Sequence, residues 1–232
     1  MSYQLISIIL PVYNQANHIA SVIEEYETAL AKIPVPHELL LVVNGSRDNS
    51  LEVCDELAKK YAEVRVINEK AGGWGLAVRR GLQEAQGDLL CYTNSARTRG
   101  QDLTLMLLYA VAYPDVVIKA NRKIRESWRR RLGSLLYNLE CRALFDLSFW
   151  DINGTPKVFP RKFNQLLSLH ESGDLIDAEF NVICRRQDYH MIEVPIFSAK
   201  RHGGKSTTNY GSAFRMYWGV YQLWRNLREG NR

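Results

Sequence analysis

Five short apolar runs constrain this chain more than any other feature: LISIILPV from Leu5, ELLLVVN from Glu38, VRVIN from Val64, DLLCYT from Asp88 and VVIKAN from Val116. Between them apolar residues recur at helical spacing. The first such stretch carries Ile19, Val22, Ile23, Tyr26, Leu30 and Ile33 behind the capping candidates Asn14 and Asn17. Buried strands alternating with one-faced helices predict an α/β fold, a mostly parallel sheet in a three-layer α/β/α arrangement. In open sheets of this kind ligands bind beyond the carboxyl ends of the strands. The turn after the first run, NGSRDNS after the second, the flexible AGGWG after the third and TNSARTR after the fourth should therefore share one pocket. In NGSRDNS, Asp48 or Ser50 can accept from the free amides of a helix start.

The second half has a different texture. A basic helix candidate, ESWRRRLGSLLYNLECRALF, precedes the glycine-bearing DINGTPKVFP and the helix DLIDAEFNVICRR. A further strand, MIEVPIF, leads to the basic loop KRHGGKSTTNYG and a closing helix from about Ser212. With 232 residues, 46% of them hydrophobic, one well-packed domain is expected. The net charge of +5 matters because the basic residues cluster, between Lys119 and Arg131 and again from Lys200 to Arg232, which suits phosphates, acidic lipid or nucleic acid. Cys54, Cys91, Cys141 and Cys184 form no C-x-x-C pair, so neither a zinc site nor a disulfide framework is expected, and a reducing cytoplasm fits. The opening MSYQLISIILPVYN lacks a basic leader and reads as a buried strand, and LTLMLLYAVAY is too short to cross a bilayer.

In order along the chain, IILPVYNQANHI, VVNGSRDNS, GGWGLAVRRGLQEAQGD, DINGTPKVFPR, IDAEF with EVPI behind it, and RHGGKS resemble the family 2 inverting glycosyltransferases of GT-A fold. Within that family they resemble the branch with the dolichyl- and polyprenyl-phosphate sugar synthases. The resemblance implies a GT-A domain over residues 1–210 and a C-terminal amphipathic helix over 211–232, packed on the domain or lying at a membrane interface. It implies a nucleotide-sugar donor and, from the branch, a lipid-phosphate acceptor met at the inner face of a membrane. It places the donor base near Pro11, Tyr13, Asn14, Asn44 and Ser46, with Asp48 either contacting the donor or capping a helix. Val43 and Asn44 stand where the usual acidic pair would be.

The largest departure is at the fourth strand. Relatives end it in Asp-x-Asp, which holds Mg²⁺ or Mn²⁺ against the donor diphosphate. This chain has Asn94 and Ala96 there, which are poor ligands for a hard cation, so no cofactor is expected. Arg97 and Arg99 in the same loop either clamp the diphosphate directly or lie on a solvated turn. Arg201, Lys205 and Ser206 in RHGGKS are the matching phosphate-closing segment, and His202 is assigned no chemistry. Gly73 gives close backbone approach, and Trp74 stacks on a ring of the donor or fills the core.

For the acceptor, the resemblance implies Arg122, Arg125, Arg130, Arg131 and Ser134. A phosphate acceptor is an anionic nucleophile and needs cations, whereas a hydroxyl acceptor needs a base. Asp151, Asp177 and Glu179 are the candidate bases, with ion pairs to Arg185 or Arg186 as the alternative for the last two. Phe214, Tyr217, Trp218, Tyr221 and Trp224 share a helical face beside Arg215, Arg225 and Arg228, suiting a membrane interface or packing on the sheet. A competing reading is a non-catalytic module that binds nucleotide sugar or lipid phosphate. Nucleic-acid binding through the basic helix is a third class, and no nucleic-acid partner is expected.

Overall fold

The computed structural model describes residues 3–123, 128–197 and 210–229, with all side chains in those spans except 128–131 and 210–214. Strand β1 (Ile6–Val12) is followed by α1 (Ile19–Leu30), β2 (His37–Asn44), α2 (Ser50–Lys60), β3 (Val64–Glu69), α3 (Trp74–Glu84), β4 (Leu89–Tyr92) and α4 (Gly100–Ala112). Then come β5 (Val117–Arg122), α5 (Trp128–Phe145), β6 (Lys157–Pro160), α6 (Ile176–Arg186), β7 (Met191–Ile196) and α7 (Tyr210–Arg228). The seven strands lie in the order β3-β2-β1-β4-β6-β5-β7. Every neighbouring pair is parallel except the two that involve β6.

All five apolar runs are strands, and β1, β2 and β4 are buried almost throughout, as strands covered on both faces must be. One core lies between the sheet and α1, α2 and α4, and a second lies between the opposite face and α3 and α6. A third, smaller core joins α5, α6 and α7 through Tyr137, Cys141, Ala178, Val220 and Leu223. The expected three layers are present. The helix starts differ from the sequence reading. Asn14 and Asn17 do not cap α1, whose N-cap is His18, with no side-chain capping bond to the helix.

Strand β6 was not anticipated. KVFP is only four residues long, opens with a charge and closes with proline, none of which advertises a strand. It runs antiparallel between β4 and β5, with Tyr92 opposite Lys157 on one side and Lys119 opposite Lys157 on the other. Its first residue therefore lies at the carboxyl ends of the parallel strands. Pro11 matters at the same edge. It has no N–H for a next rung to β4, and the β1–β4 ladder ends at Ile9 opposite Tyr92.

All four cysteines are free and buried. Burial pushes the thiols of Cys54 and Cys141 up to about 12 and raises Cys91 and Cys184 further. A folded-state pKa above the unfolded one gives stability that is complete below the unfolded value and lost as pH rises past it. We expect urea-unfolding stability to fall steadily above about pH 9, near the ordinary thiol range. Ellman's reagent should label none of the four thiols in the native protein and all of them in urea.

Candidate active site

The tips of β1 and β2 are tied together by side chains that the sequence suggested for ligand binding. Asn14, at φ +50°, accepts from the Arg47 N–H at 2.8 Å, and its own N–H donates to the Ser46 hydroxyl at 3.1 Å. Asp48 accepts from the Ala16 N–H at 3.1 Å and from both the N–H and hydroxyl of Ser50. Burial alone would raise the Asp48 carboxyl, but these bonds outweigh it and hold it low. Ser50 in turn accepts from the Gln15 N–H at 2.8 Å.

Asn44, expected near the donor base, ties loops together. It is buried, its amide donates to the Val12 carbonyl at 3.0 Å, and its oxygen accepts from the Gly73 N–H at 3.1 Å. Gly45, at φ +58°, brings its turn against Gly72, where a Cβ would lie 2.8 Å from that residue's Cα. Pro11 is buried in β1, which leaves Tyr13 and Asn14 as exposed groups at this rim.

The β4 tip folds back on itself. The hydroxyls of Thr93 and Thr98 meet at 2.7 Å, buried Ser95 donates to the Gln15 side chain at 2.7 Å, and the Asn94 side-chain oxygen accepts from the Ala96 N–H at 3.0 Å. These residues do not fit a divalent ion, which needs several hard oxygen donors and carboxylates above all. The one side-chain oxygen of Asn94 is engaged and Ala96 offers a methyl. Among the described residues no three His, Cys, Asp or Glu side chains converge. Arg97 lies half-buried on this loop. Arg99 makes a two-point pair with Asp102 at 2.9 and 3.0 Å at the start of α4, so its guanidinium is already engaged.

The three candidate bases, Asp151, Asp177 and Glu179, are each buried and held by internal donors. Both oxygens of Asp151 face Arg122, at 2.7 and 2.8 Å, and one also accepts the Arg122 N–H at 2.9 Å. Asp177 accepts from the Tyr92 hydroxyl at 2.9 Å, from the Trp74 indole N–H at 3.2 Å and from the Lys157 ammonium. Glu179 accepts the N–H groups of His170 and Glu171 at 2.8 to 3.0 Å. None pairs with Arg185 or Arg186: Arg185 binds Asp146 and Arg186 donates to the Leu227 carbonyl.

The sequence reading missed the two lysines at the centre of this arrangement. Lys119 and Lys157 are 0% exposed and stand opposite each other across β5 and β6. Lys119 binds Glu193 at 2.6 Å and donates to the carbonyls of Trp150 and Asp151. Burial pushes Lys157 down to about 8, against the pull of Asp177, with Lys119 and Arg122 lowering it further. Arg122 moves the other way, because Asp151 outweighs its burial. The pairs Lys119–Glu193, Arg122–Asp151 and Lys157–Asp177 leave no net charge. A lysine at the head of the short apolar run VFP was the one local hint.

Ser134 is half-buried on α5, and Arg130 and Arg131 belong to the same helix. Arg125, Arg201, Lys205 and Ser206 lie outside the described residues. The outer face of α5 exposes Leu132, Leu135, Leu136 and Leu139 at 44 to 50%. On α7, Trp218 and Tyr221 are exposed and Trp224 continues their ladder at 5.8 Å. The buried side of α7 is Val220 and Leu223, and Tyr217 donates to the Gly133 carbonyl at 2.7 Å. No helix among the described residues is long and apolar enough to cross a membrane. A cavity of about 520 Å³ lined by Asp146, Leu147, Arg185, His190 and Met191 sits where β7 begins.

Residues 7–167 match the family model described as glycosyl transferase family 2. The chain is 28% identical over 211 residues to an undecaprenyl-phosphate 4-deoxy-4-formamido-L-arabinose transferase of Pectobacterium atrosepticum, covering 88% of this chain and 63% of the relative. The Serratia proteamaculans protein of the same description is 25% identical over 207 residues, with 87% and 62% covered. The chain thus spans less than two thirds of the length of these curated relatives. Among solved structures it is similar to mannosyl-3-phosphoglycerate synthase from Rubrobacter xylanophilus, with TM-score 0.73 and 20% identity over 99% of this chain and 76% of that one. It is also similar to glucosyl-3-phosphoglycerate synthase from Mycobacterium tuberculosis in complex with Mn²⁺, uridine diphosphate and glucosyl-3-phosphoglycerate, with TM-score 0.73 and 17% identity over 95% and 80%. These likenesses show the fold.

Removing one partner of a buried ion pair costs about 3 to 5 kcal/mol, whereas removing both costs much less. Lys119→Met should therefore lower urea-unfolding stability by about 3 kcal/mol. The double variant Lys119→Met with Glu193→Leu should be more stable than that single variant.

Proposed function

As this chain belongs to glycosyl transferase family 2, we propose that it moves a sugar from a nucleoside diphosphate sugar to a polyprenyl phosphate, with inversion and without a divalent metal. The observation that carries this reading is the state of the acids at the crevice. Asp151, Asp177 and Glu179 are buried and held by internal donors, so none is placed to take a proton from a hydroxyl acceptor. A phosphate acceptor needs no such base, because it arrives as an anion. The printed description of the curated relatives, which names undecaprenyl phosphate, supports the same acceptor class.

In this mechanism an acceptor phosphate oxygen attacks the anomeric carbon from the side opposite the donor diphosphate. A carbon–oxygen bond forms on one face as the bond to the diphosphate breaks on the other, and the configuration inverts. Fixed cations balance the charge that grows on the leaving diphosphate. Arg97 on the β4 loop and Arg201 and Lys205 of RHGGKS are the residues proposed for this. Arg125, Arg130 and Arg131 are proposed to face the acceptor phosphate, while Arg122 is already held in a two-point pair by the oxygens of Asp151. Tyr13 supplies an exposed ring at the base end of the crevice.

Such an acceptor is embedded in lipid, and α5 and α7 carry a surface suited to meeting it. Leucines on α5 and the Trp218–Tyr221–Trp224 ladder on α7 combine apolar and interfacial aromatic side chains, and Arg215 and Arg228 supply charge for anionic headgroups. We place this face at the inner surface of a cytoplasmic membrane. A second reading, a module that binds without turnover, is favoured by the inward-turned Asn94 at the β4 tip.

Incubation with a panel of nucleotide sugars in EDTA, with and without polyprenyl phosphate, tests the proposal through release of nucleoside diphosphate. Release is expected in EDTA and only when polyprenyl phosphate is present. Release that requires manganese contradicts the metal-free mechanism, and binding without release supports the inert module. In sedimentation with phosphatidylglycerol vesicles, the double variant Leu135→Asp, Leu136→Asp should bind at least tenfold more weakly than wild type, about 1.4 kcal/mol. Equal binding would remove the membrane face.

A further inference from the structure

The first turn of α6 carries two of the acids that the sequence offered as bases, and both act on the same neighbour. Asp177 is 4% exposed, and donors from three other elements meet its carboxylate: Trp74 at the start of α3, Tyr92 at the end of β4 and Lys157 at the head of β6. Glu179 fixes the N–H groups of His170 and Glu171. The segment that follows packs against the glycines flanking Trp74. A Cβ on Gly73 would lie 2.7 Å from the Ser172 carbonyl oxygen, and one on Gly75 would lie 2.5 Å from that of Glu171. The Leu76 N–H donates to the Ser172 carbonyl at 2.9 Å. The backbone of Trp74 is thus held from the Glu179 side and its indole N–H from the Asp177 side.

A core tryptophan does not need this much support. Trp74 is only half-buried, stands edge-on to Tyr92 at 6.4 Å, and follows the loop that Asn44 ties to the tips of β1 and β2. Lys157 lies between the rings of Tyr92 and Phe180, 5.4 and 5.6 Å from their centres, which fixes the ammonium and with it the carboxylate that holds the indole. We infer that Asp177 is a positioning residue: with Tyr92 and Lys157 it sets the Trp74 indole at the crevice, where the ring offers its face to the sugar of the donor. An indole face suits the C–H face of a pyranose, while the diphosphate is left to the cations. This rests on the nucleotide-sugar reading above, and it removes Asp177 from the chemistry.

Protein labelled with 5-fluorotryptophan gives a readout that needs no ligand. The chain has five tryptophans, and Trp74→Phe identifies the Trp74 resonance. In Asp177→Asn, and in Tyr92→Phe, which leaves the Lys157 pair intact, that line should shift or broaden while the other fluorine lines stay in place. A Trp74 line unmoved in both variants overturns the positioning role. Calorimetry with UDP-glucose and UDP tests the contact. Trp74→Phe and Asp177→Asn should each weaken UDP-glucose about tenfold while leaving UDP within about twofold. The double variant should be no weaker than the worse single one, because both remove one interaction. Additive losses, or equal losses for both ligands, overturn the sugar contact. If the wild type binds neither ligand, the donor reading fails, and the fluorine spectra still decide whether Asp177 positions the ring.

Discussion

Two lysines without solvent exposure, Lys119 and Lys157, face each other across β5 and β6, and each must find a carboxylate inside the protein. The short antiparallel β6 creates this demand by inserting between β4 and β5 with a lysine at its head. Glu193 answers one lysine, Asp177 answers the other, and Asp151 takes Arg122 beside them. Buried pairs of this kind add little net stability once desolvation is counted, so their main effect is to fix where the groups stand. The result is a set of acids committed to holding the framework.

The tips of β1 and β2 follow the same logic on a smaller scale. Asn14, Asn44 and Asp48 are polar residues at the carboxyl edge of the sheet, and each uses its side chain to hold a neighbouring loop. Where an acidic pair would present charge, Val43 is buried and Asn44 joins three segments through one amide. At the β4 tip the change is in the same direction. Asn94 satisfies its own turn and Ala96 is buried, and the charged side chains of that loop are Arg97 and Arg99.

How much of this was legible in the sequence depends on the range of the interaction. The five apolar runs and the spacing of Ile19, Val22, Ile23 and Tyr26 are local patterns, and they led to the right strands and helices. The closing helix at Tyr210 and the helix DLIDAEFNVICRR were legible for the same reason. Strand β6 was not, because KVFP has neither the length nor the alternation of a strand, and only its place between two others makes it one. The fate of the acids was hidden too. Asp177 and Trp74 are 103 positions apart, Asp151 and Arg122 are 29 apart, and no spacing rule links them. The sequence could propose which residues carry charge, but it could not say which charges are already paired.

No side chain here is proposed to serve as a general base, and the pH dependence of transfer tests this most directly. If the acceptor phosphate is itself the nucleophile, the acidic limb of kcat/KM belongs to the second ionisation of that phosphate, near pH 6. Replacing the polyprenyl phosphate by the matching phosphonate, whose second ionisation is higher, should then move the limb upward with the acceptor. A limb that stays at the same pH for both acceptors would belong to a group on the protein, and would contradict the account.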